Sequence, residues 1–449
     1  MVRLSLALWL TAASAASTTP QVIRHILEGS GSAEPAMIYN VPEDSHWEAL
    51  AKSRSAKLCV VNPDEDGGDD APAIIKAFTE DCRTNSIVVL PGPKYNIRSF
   101  MNTTGLENVE VHHFGRFLWS PDIDYWLSVS QPIGFQNQST VWYFGGDHIT
   151  YDGHNVGTLD GNGQNWYDWA EGQGNLKDRP MMVNWVNITN SEIRRLRMVQ
   201  SQMWTQTVSH AENILMEDIY VNNTSNSEWS TLNTDGIDTM WANNVTLRRW
   251  AVTCGDDGVA LKRNSTNIYV YDSEFWGGQG LAVGSLGQYD GVFEEVDGFF
   301  VKNVTFHDTA YVAYLKTWPG VRNGYPPNGG GGGYGYARNI VIEDAVLDRG
   351  RRTPYFITQC EHYDGHNLED CDSSKFKFYD VTWKNTSGTV NDDVEFGGWF
   401  ICSEAAGGCN DFKIEDFTVK TRSGKSLIDS WDCHNMKSPD GITCSVESK

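Results

Sequence analysis

Two aspartates stand side by side in TCGDDGVALK, residues 253–262, and a third lies 21 residues before Asp256 in NTDGIDT, at Asp235. Asp256 and Asp257 interrupt a run that otherwise reads as buried strand, where like charges repel. Taken alone, the pair fits turn residues or calcium ligands as well as catalysis. Asp235 changes the balance if the chain winds in coils of about this length, because residues one coil apart then stack about 4.8 Å from each other. Three carboxyls on one patch cannot all ionise cheaply, so at least one pKa is pushed up. A protonated carboxyl beside an ionised one is what hydrolysis of a glycosidic bond requires: an acid for the leaving oxygen and a base for water. On this reading the repulsion is tolerated because it creates the acid.

The following stretch, GGQGLAVGSLGQYDG, places Gln279 22 residues after Asp257, again one coil on. Its glycines at 277, 278 and 280 either admit a substrate close to the backbone or serve a tight bend. Lys316, in AYLKTW, is the nearest cation for an anionic sugar, against the plainer reading of a solvated lysine. Cys254 precedes the aspartate pair by two residues, yet no His stands near it in a nucleophile motif, so a buried inert thiol is expected. The loop GYPPNGGGGGYGY is either a slack connector or a lid beside a cleft. The 17 Trp and 18 Tyr read mainly as core and stacking residues, with sugar stacking as the sharper possibility.

What must position these groups is a repeat. The phrase apolar-x-apolar-x-x-apolar-x-apolar occurs at Ile214/Met216/Ile219/Val221, Val245/Leu247/Trp250/Val252, Ile268/Val270/Ser273/Phe275, Phe299/Val301/Val304/Phe306, Ile340/Ile342/Ala345/Leu347, Phe376/Phe378/Val381/Trp383 and Phe412/Ile414/Phe417/Val419. Weaker copies start at Val109, Ile149 and Ser191. Each reads as two short strands with a bend between them. One unit cannot bury its apolar face, but stacked units can, which predicts an all-β, right-handed parallel β-helix. DDAPAIIKAFTEDC, with Asp69 or Asp70 as N-cap and Pro72 in the first turn, predicts a short helix capping the open N-terminal end. SIVVLPG is the expected first strand.

The chain opens MVRLSLALWLTAASAAS, which reads as a secretory signal peptide over residues 1–15, leaving residues 16–449 as one domain. A secreted context leads to paired cysteines, and their order suggests Cys59–Cys82, Cys360–Cys371, Cys402–Cys409 and Cys433–Cys444, with Cys254 left over. Sequons at Asn102, Asn137, Asn187, Asn222, Asn223, Asn244, Asn264, Asn303 and Asn385 predict an N-glycosylated protein. A formal charge of −23 argues against nucleic acid or anionic membrane as partner.

Asn233-Thr234-Asp235 and Gly255-Asp256-Asp257, followed by Gly278-Gln279-Gly280 and Tyr314-Leu315-Lys316, resemble the four motifs of the polygalacturonases, glycoside hydrolase family 28. That family pairs Asn-Thr-Asp and Gly/Gln-Asp-Asp with Gly-His-Gly and Arg-Ile-Lys on a right-handed parallel β-helix. The resemblance implies an inverting hydrolase with Asp256 as general acid and Asp235 with Asp257 holding the water. It implies no metal and no cofactor. Asn233, Gln279, Tyr314 and Lys316 would then contact substrate. Gln279 replaces the family's His and Tyr314 its Arg, which makes ordinary endo-polygalacturonase action doubtful. The surrounding phrases are most similar to the fungal exo-acting rhamnogalacturonan galacturonohydrolases. The expected protein is therefore a secreted monomer that releases terminal galacturonate from the non-reducing end of a pectic chain. Exopolygalacturonase and α-rhamnosidase are the alternatives within the family, and a non-catalytic pectin-binding protein is the alternative outside it.

Overall fold

The repeated phrase forms two adjoining walls of a solenoid in register from coil to coil. In this computed structural model, which describes residues 41–361 and 370–447, Ile214 lies opposite Val245, Val245 opposite Ile268, Ile268 opposite Phe299 and Phe299 opposite Ile340. All these pairings are parallel, and the apolar members are buried along one continuous core. The architecture is a right-handed parallel β-helix. Residues 1–15, with the expected signal peptide, lie outside the described residues.

The bend within each phrase is a single residue in the left-handed region. Asp218, Arg249, Asp272, Asn303, Asp344, Asn385 and Asp416 all have φ between 52° and 58°. A second such residue precedes six of the phrases, at Asn213, Asn244, Asn267, Asn339, Asp380 and Asp411, and Gly298, at φ 86°, takes that place before Phe299. Asn and Asp tolerate this conformation better than other residues with a Cβ. Their side chains also bond from coil to coil: Asn244 Nδ2 donates to Asn213 Oδ1 at 2.8 Å, and Asn213 Nδ2 to Asn190 Oδ1 at 2.9 Å.

One copy of the phrase is out of phase with the expectation. Ile340 and Ile342 face Val381 and Trp383, whereas Phe376 and Phe378 face Gly335 and Ala337. The apolar pairs at 376/378 and 381/383 are five residues apart, so both fit the template. Asp380, with φ 57°, marks the true start.

The expected capping helix is present as Ala71–Lys76, continued by a wider turn Ala77–Asp81, with Ile74 and Phe78 buried. Two elements precede it that the sequence reading passed over: the helix Asp44–Arg54 and the strand Lys57–Val60, which pairs with 86–89 and so displaces SIVVLPG as the first strand. The helix buries only Trp47 and Ala51, and the strand has four residues, so neither carries a strong periodic signal. Cys59–Cys82 ties this strand to the cap. Cys360–Cys371, Cys402–Cys409 and Cys433–Cys444 are also formed, and Cys254 is unpaired and buried. No described helix is long and apolar enough to cross a membrane.

Candidate active site

A third wall of the solenoid carries Asp257, Gln279's neighbour Gly280, Tyr314 and Lys316. It stacks Asp257–Leu261, Gly280–Leu286, Ala313–Thr317, Tyr355–Thr358 and Gly398–Ile401. Val259, Leu281 and Leu315 point into the core, so Ala260, Ala282 and Tyr314 face out. Asp257 belongs to the outer face because of a bulge: Asp257 pairs with Gly280 but Val259 with Leu281, leaving Gly258 as the extra residue. Asp235 precedes the equivalent strand of the previous coil, where the Gly236 N–H donates to the Asp257 carbonyl at 2.9 Å.

The three aspartates meet as their spacing predicts. One carboxylate oxygen of each lies within 4.8 Å of the others. They border a cavity of about 740 Å³ that Asn233, Gln279, Tyr314 and Lys316 also line. Asn233 donates to Asp256 Oδ2 from its backbone and its side chain, both at 3.2 Å. Gln279 lies over Asp256, its N–H donating to the Asp256 carbonyl at 2.8 Å. Lys316, expected to meet a sugar carboxylate, is engaged by Asp257, with Nζ 2.8 Å from Oδ2.

Burial dominates the electrostatics. Desolvation, reinforced by neighbouring carboxylates, pushes Asp235 well above the usual range. Asp256 is raised to about 6 by desolvation and by Asp257, against the lowering pull of Lys316 and Lys262. Beneath them Asp238 is fully buried and raised to about 7, with Lys262 Nζ 3.2 Å away. The cluster thus holds protons at a pH where isolated carboxyls have lost them. Its three oxygens could also ligate a cation, but Lys316 already puts a positive charge on Asp257.

Cys254 is no nucleophile. Its Sγ donates to the Asp256 carbonyl at 3.2 Å, and burial pushes the thiol up. Nor do the adjacent glycines open space for substrate: a Cβ on Gly278, at φ 59°, would fall 2.1 Å from the Asp256 carbonyl oxygen. They serve the tight bend.

Loops from distant coils build one side of the cavity. Gln136 and Asn328 both line it. The Gln136 N–H donates to the Tyr289 hydroxyl and its Nε2 to Gln288 Oε1, each at 2.6 Å. Asn137 Nδ2 donates to the Pro326 carbonyl at 2.6 Å, and Gln288 Nε2 to the carbonyls of Pro327 and Gly329 at 2.9 Å. The glycine run is therefore pinned rather than slack. Gly331 has φ 113°, and a Cβ there would lie 2.5 Å from the Val321 carbonyl. The turn after Gly287 is short, because the chain from Phe293 onward is already strand.

Part of the lining is aromatic, from Tyr311, Tyr314 and Phe356. Tyr314 and Phe356 stack at 5.1 Å between centroids, and Phe356 and Trp399 at 5.2 Å, one residue per coil. Glu361 is buried here and accepts a hydrogen bond from the Tyr314 hydroxyl at 2.5 Å, while Arg352 Nη1 donates to Tyr311 at 3.1 Å. Lys262, Arg352 and Glu361 all line the cavity and were not read from sequence. For Lys262 the signal was masked by the Gly258 bulge, which restores the same face to Asp257 and Lys262 despite their odd separation.

The geometry accords with three comparisons. The family model for glycosyl hydrolases family 28 matches residues 133–445. The α-L-rhamnosidase rgxB of Aspergillus niger is 38% identical over 408 residues, covering 90% of this chain and 93% of that protein. A protein of Aspergillus flavus provisionally named galacturan 1,4-α-galacturonidase A is 38% identical over 415 residues, covering 86% and 93%. Among solved structures, the endo-xylogalacturonan hydrolase of Aspergillus tubingensis superposes with a TM-score of 0.69 at 24% identity, over 87% of this chain and all of that one, a likeness of fold. With both aspartate motifs complete and gathered at one cavity, the chain belongs to glycosyl hydrolase family 28, and it is a glycoside hydrolase.

Proposed function

We propose that the protein is a secreted exo-hydrolase of pectic polysaccharide that removes galacturonate from the non-reducing end of rhamnogalacturonan. The observation that carries this reading is a carboxyl cluster with Lys316 in its midst, in a cavity flanked on one side by pinned loops. Asp256, protonated up to about pH 6, donates its proton to the leaving oxygen. Asp257, the one member with a cation in direct contact, accepts the proton of the attacking water, which Asp235 helps to hold. Lys316 and the exposed Arg352 supply positive charge toward a sugar carboxylate.

The pinned loops favour exo action. Gln136, Gln288 and Asn328 bring three separate segments to one side of the cavity, and a polymer crossing the site would have to pass them. Inversion is drawn from the family resemblance. The carboxyl oxygens, within 4.8 Å of one another, stand closer than the spacing of about 6.5–9.5 Å usual in inverting enzymes. Proton NMR of the first-formed product decides it, with the β-anomer expected.

A second reading, an α-L-rhamnosidase acting on the same polymer, is favoured by the 38% identity to the Aspergillus niger enzyme of that name. Digestion of defined rhamnogalacturonan and homogalacturonan oligomers, with products identified over time, separates the two. Galacturonate as the sole early product, with little fall in viscosity, supports the first. Early rhamnose supports the second, and early oligomers of mixed length refute exo action.

A further inference from the structure

An amide side chain has two nearly isosteric ends, and the end that meets a carboxyl decides which group gives the hydrogen. Asn233 stands against Asp256 in this way, 9% exposed, with its backbone N–H and its Nδ2 both 3.2 Å from Asp256 Oδ2. Because Asp256 holds its proton up to about pH 6, the opposite arrangement is chemically open: a protonated Oδ2 would donate to the amide oxygen, and the acid proton would be held inside the protein. A neighbour outside the aspartate motifs closes that option. The Asn175 backbone N–H donates to Asn233 Oδ1 at 2.7 Å. A backbone N–H can only donate, so the oxygen end of the amide must face Asn175 and the NH2 end Asp256.

Residues 171–179 hold that N–H in place. The segment leaves the helix Gly163–Ala170 through a bond from the Gln173 N–H to the Ala170 carbonyl at 2.8 Å. It ends at Arg179, 1% exposed, whose Nε donates to the Gln202 carbonyl at 2.6 Å, and the Asp178 carbonyl accepts from Ser139 Oγ at 3.3 Å. Between these anchors it lies close on the Asn233 turn: a Cβ on Gly174 would stand 3.1 Å from Leu232 Cδ2 and 3.3 Å from Asn233 Oδ1. Asp256 Oδ2 thus receives two donors, while Oδ1 accepts the Asp257 N–H at 3.1 Å. An oxygen that already accepts two N–H groups is the carbonyl oxygen of the protonated acid.

We infer that residues 171–179 are a positioning element for the general acid: the Asn175 N–H sets the polarity of the Asn233 amide, which reserves Asp256 Oδ2 as an acceptor and leaves the transferable proton on Oδ1. This rests on the assignment of Asp256 as the acid and on no particular sugar. Asp257, Lys316 and Lys262 act on Asp256 directly, and Asp235, Arg179 and Cys254 also feel its charge. The substitutions that test the device leave all six in place.

The test replaces Asn175 by Pro, which has no N–H, and by Gly, which keeps it and accepts the φ of 49° at this position. Freed to turn over, the Asn233 amide accepts the acid proton, and a hydrogen bond made to the neutral form raises the pKa. The alkaline limb of kcat/KM for Asn175→Pro should therefore move up by about one pH unit, the scale of one hydrogen bond to a charged group. The plateau should fall with it, whereas Asn175→Gly keeps the limb of the parent. In an Asn233→Ala background, Asn175→Pro should move the limb no further. If Asn175→Pro fails to fold, Gly174→Val drives the same segment off the amide and should shift the limb the same way. A limb that stays in place in a folded variant, moves as far with Gly as with Pro, or moves again after Asn233→Ala overturns the role of the segment while Asp256→Asn still abolishes turnover. Near-normal activity of Asp256→Asn overturns the assignment of the acid and the inference with it.

Discussion

Replacing Lys316 by Met tests the electrostatic core of the mechanism, because it removes a charge while keeping much of the stem. Lys316 Nζ is 2.8 Å from Asp257, and the carboxylates of the cluster come within 4.8 Å of one another. The ammonium therefore lies within roughly 10 Å of Asp256, and at a separation of about 7 Å two unit charges interact by about 2.4 kcal/mol at an effective dielectric of about 20. That corresponds to about 1–2 pH units. The sign follows from the role. Asp256 acts while protonated, so activity falls as pH rises through about 6. A nearby cation favours the ionised form and lowers this pKa, and its removal must raise it further. The alkaline limb of kcat/KM for Lys316→Met should thus move upward by about 1–2 units. The absolute rate falls as well, since Asp257 loses its partner, but the limb is read independently of amplitude. The assay is initial-rate release of monosaccharide from a fixed oligomer between pH 3 and 8, at constant ionic strength. A limb that stays in place or moves down would refute the assignment of Asp256 as the acid under the influence of Lys316.

Three further outcomes are expected. Asp256→Asn should retain the melting temperature of the parent within a few degrees and lose at least about a hundredfold in kcat, as for loss of a general acid. Asn213→Val places a β-branched residue at φ 59° and breaks two rungs of the corner ladder. It should cost about 2–3 kcal/mol in denaturant unfolding. Glycopeptide mapping should find Asn223 unmodified: it is 2% exposed, its Oδ1 accepting from the Ser201 N–H at 2.8 Å and its Nδ2 donating to Thr205 Oγ1 at 2.7 Å.

Sequence alone determined the coil and, through it, the cluster. A solenoid converts linear spacing into vertical stacking, so Asp235, Asp256, Asp257 and Gln279 could be placed together from separations close to one coil, and Lys316 from its motif. Local chemistry also made the disulfides legible, since each pair closes a loop of 7 to 23 residues. Where the pattern was ambiguous, a local cue was available but unread: the left-handed Asp380 fixes the phase that Phe376 and Phe378 obscured.

Tertiary structure decided everything that depends on turns and on partners far apart in the chain. Gln136 meets Tyr289 across 153 residues, and Glu361 meets Tyr314 across 47. No periodicity reports such contacts, because turn lengths vary between coils and the side chains that line the cleft alternate with a core that alone sets the pattern. Lys262 was hidden by one extra residue in its strand. The ion-pair partner of Lys316 was likewise invisible, since its type announces a cation while only the fold supplies Asp257 at 2.8 Å. Spacing along a stacked coil fixes which residues share a level; what closes over them is set by packing between loops, where sequence neighbours are not spatial ones.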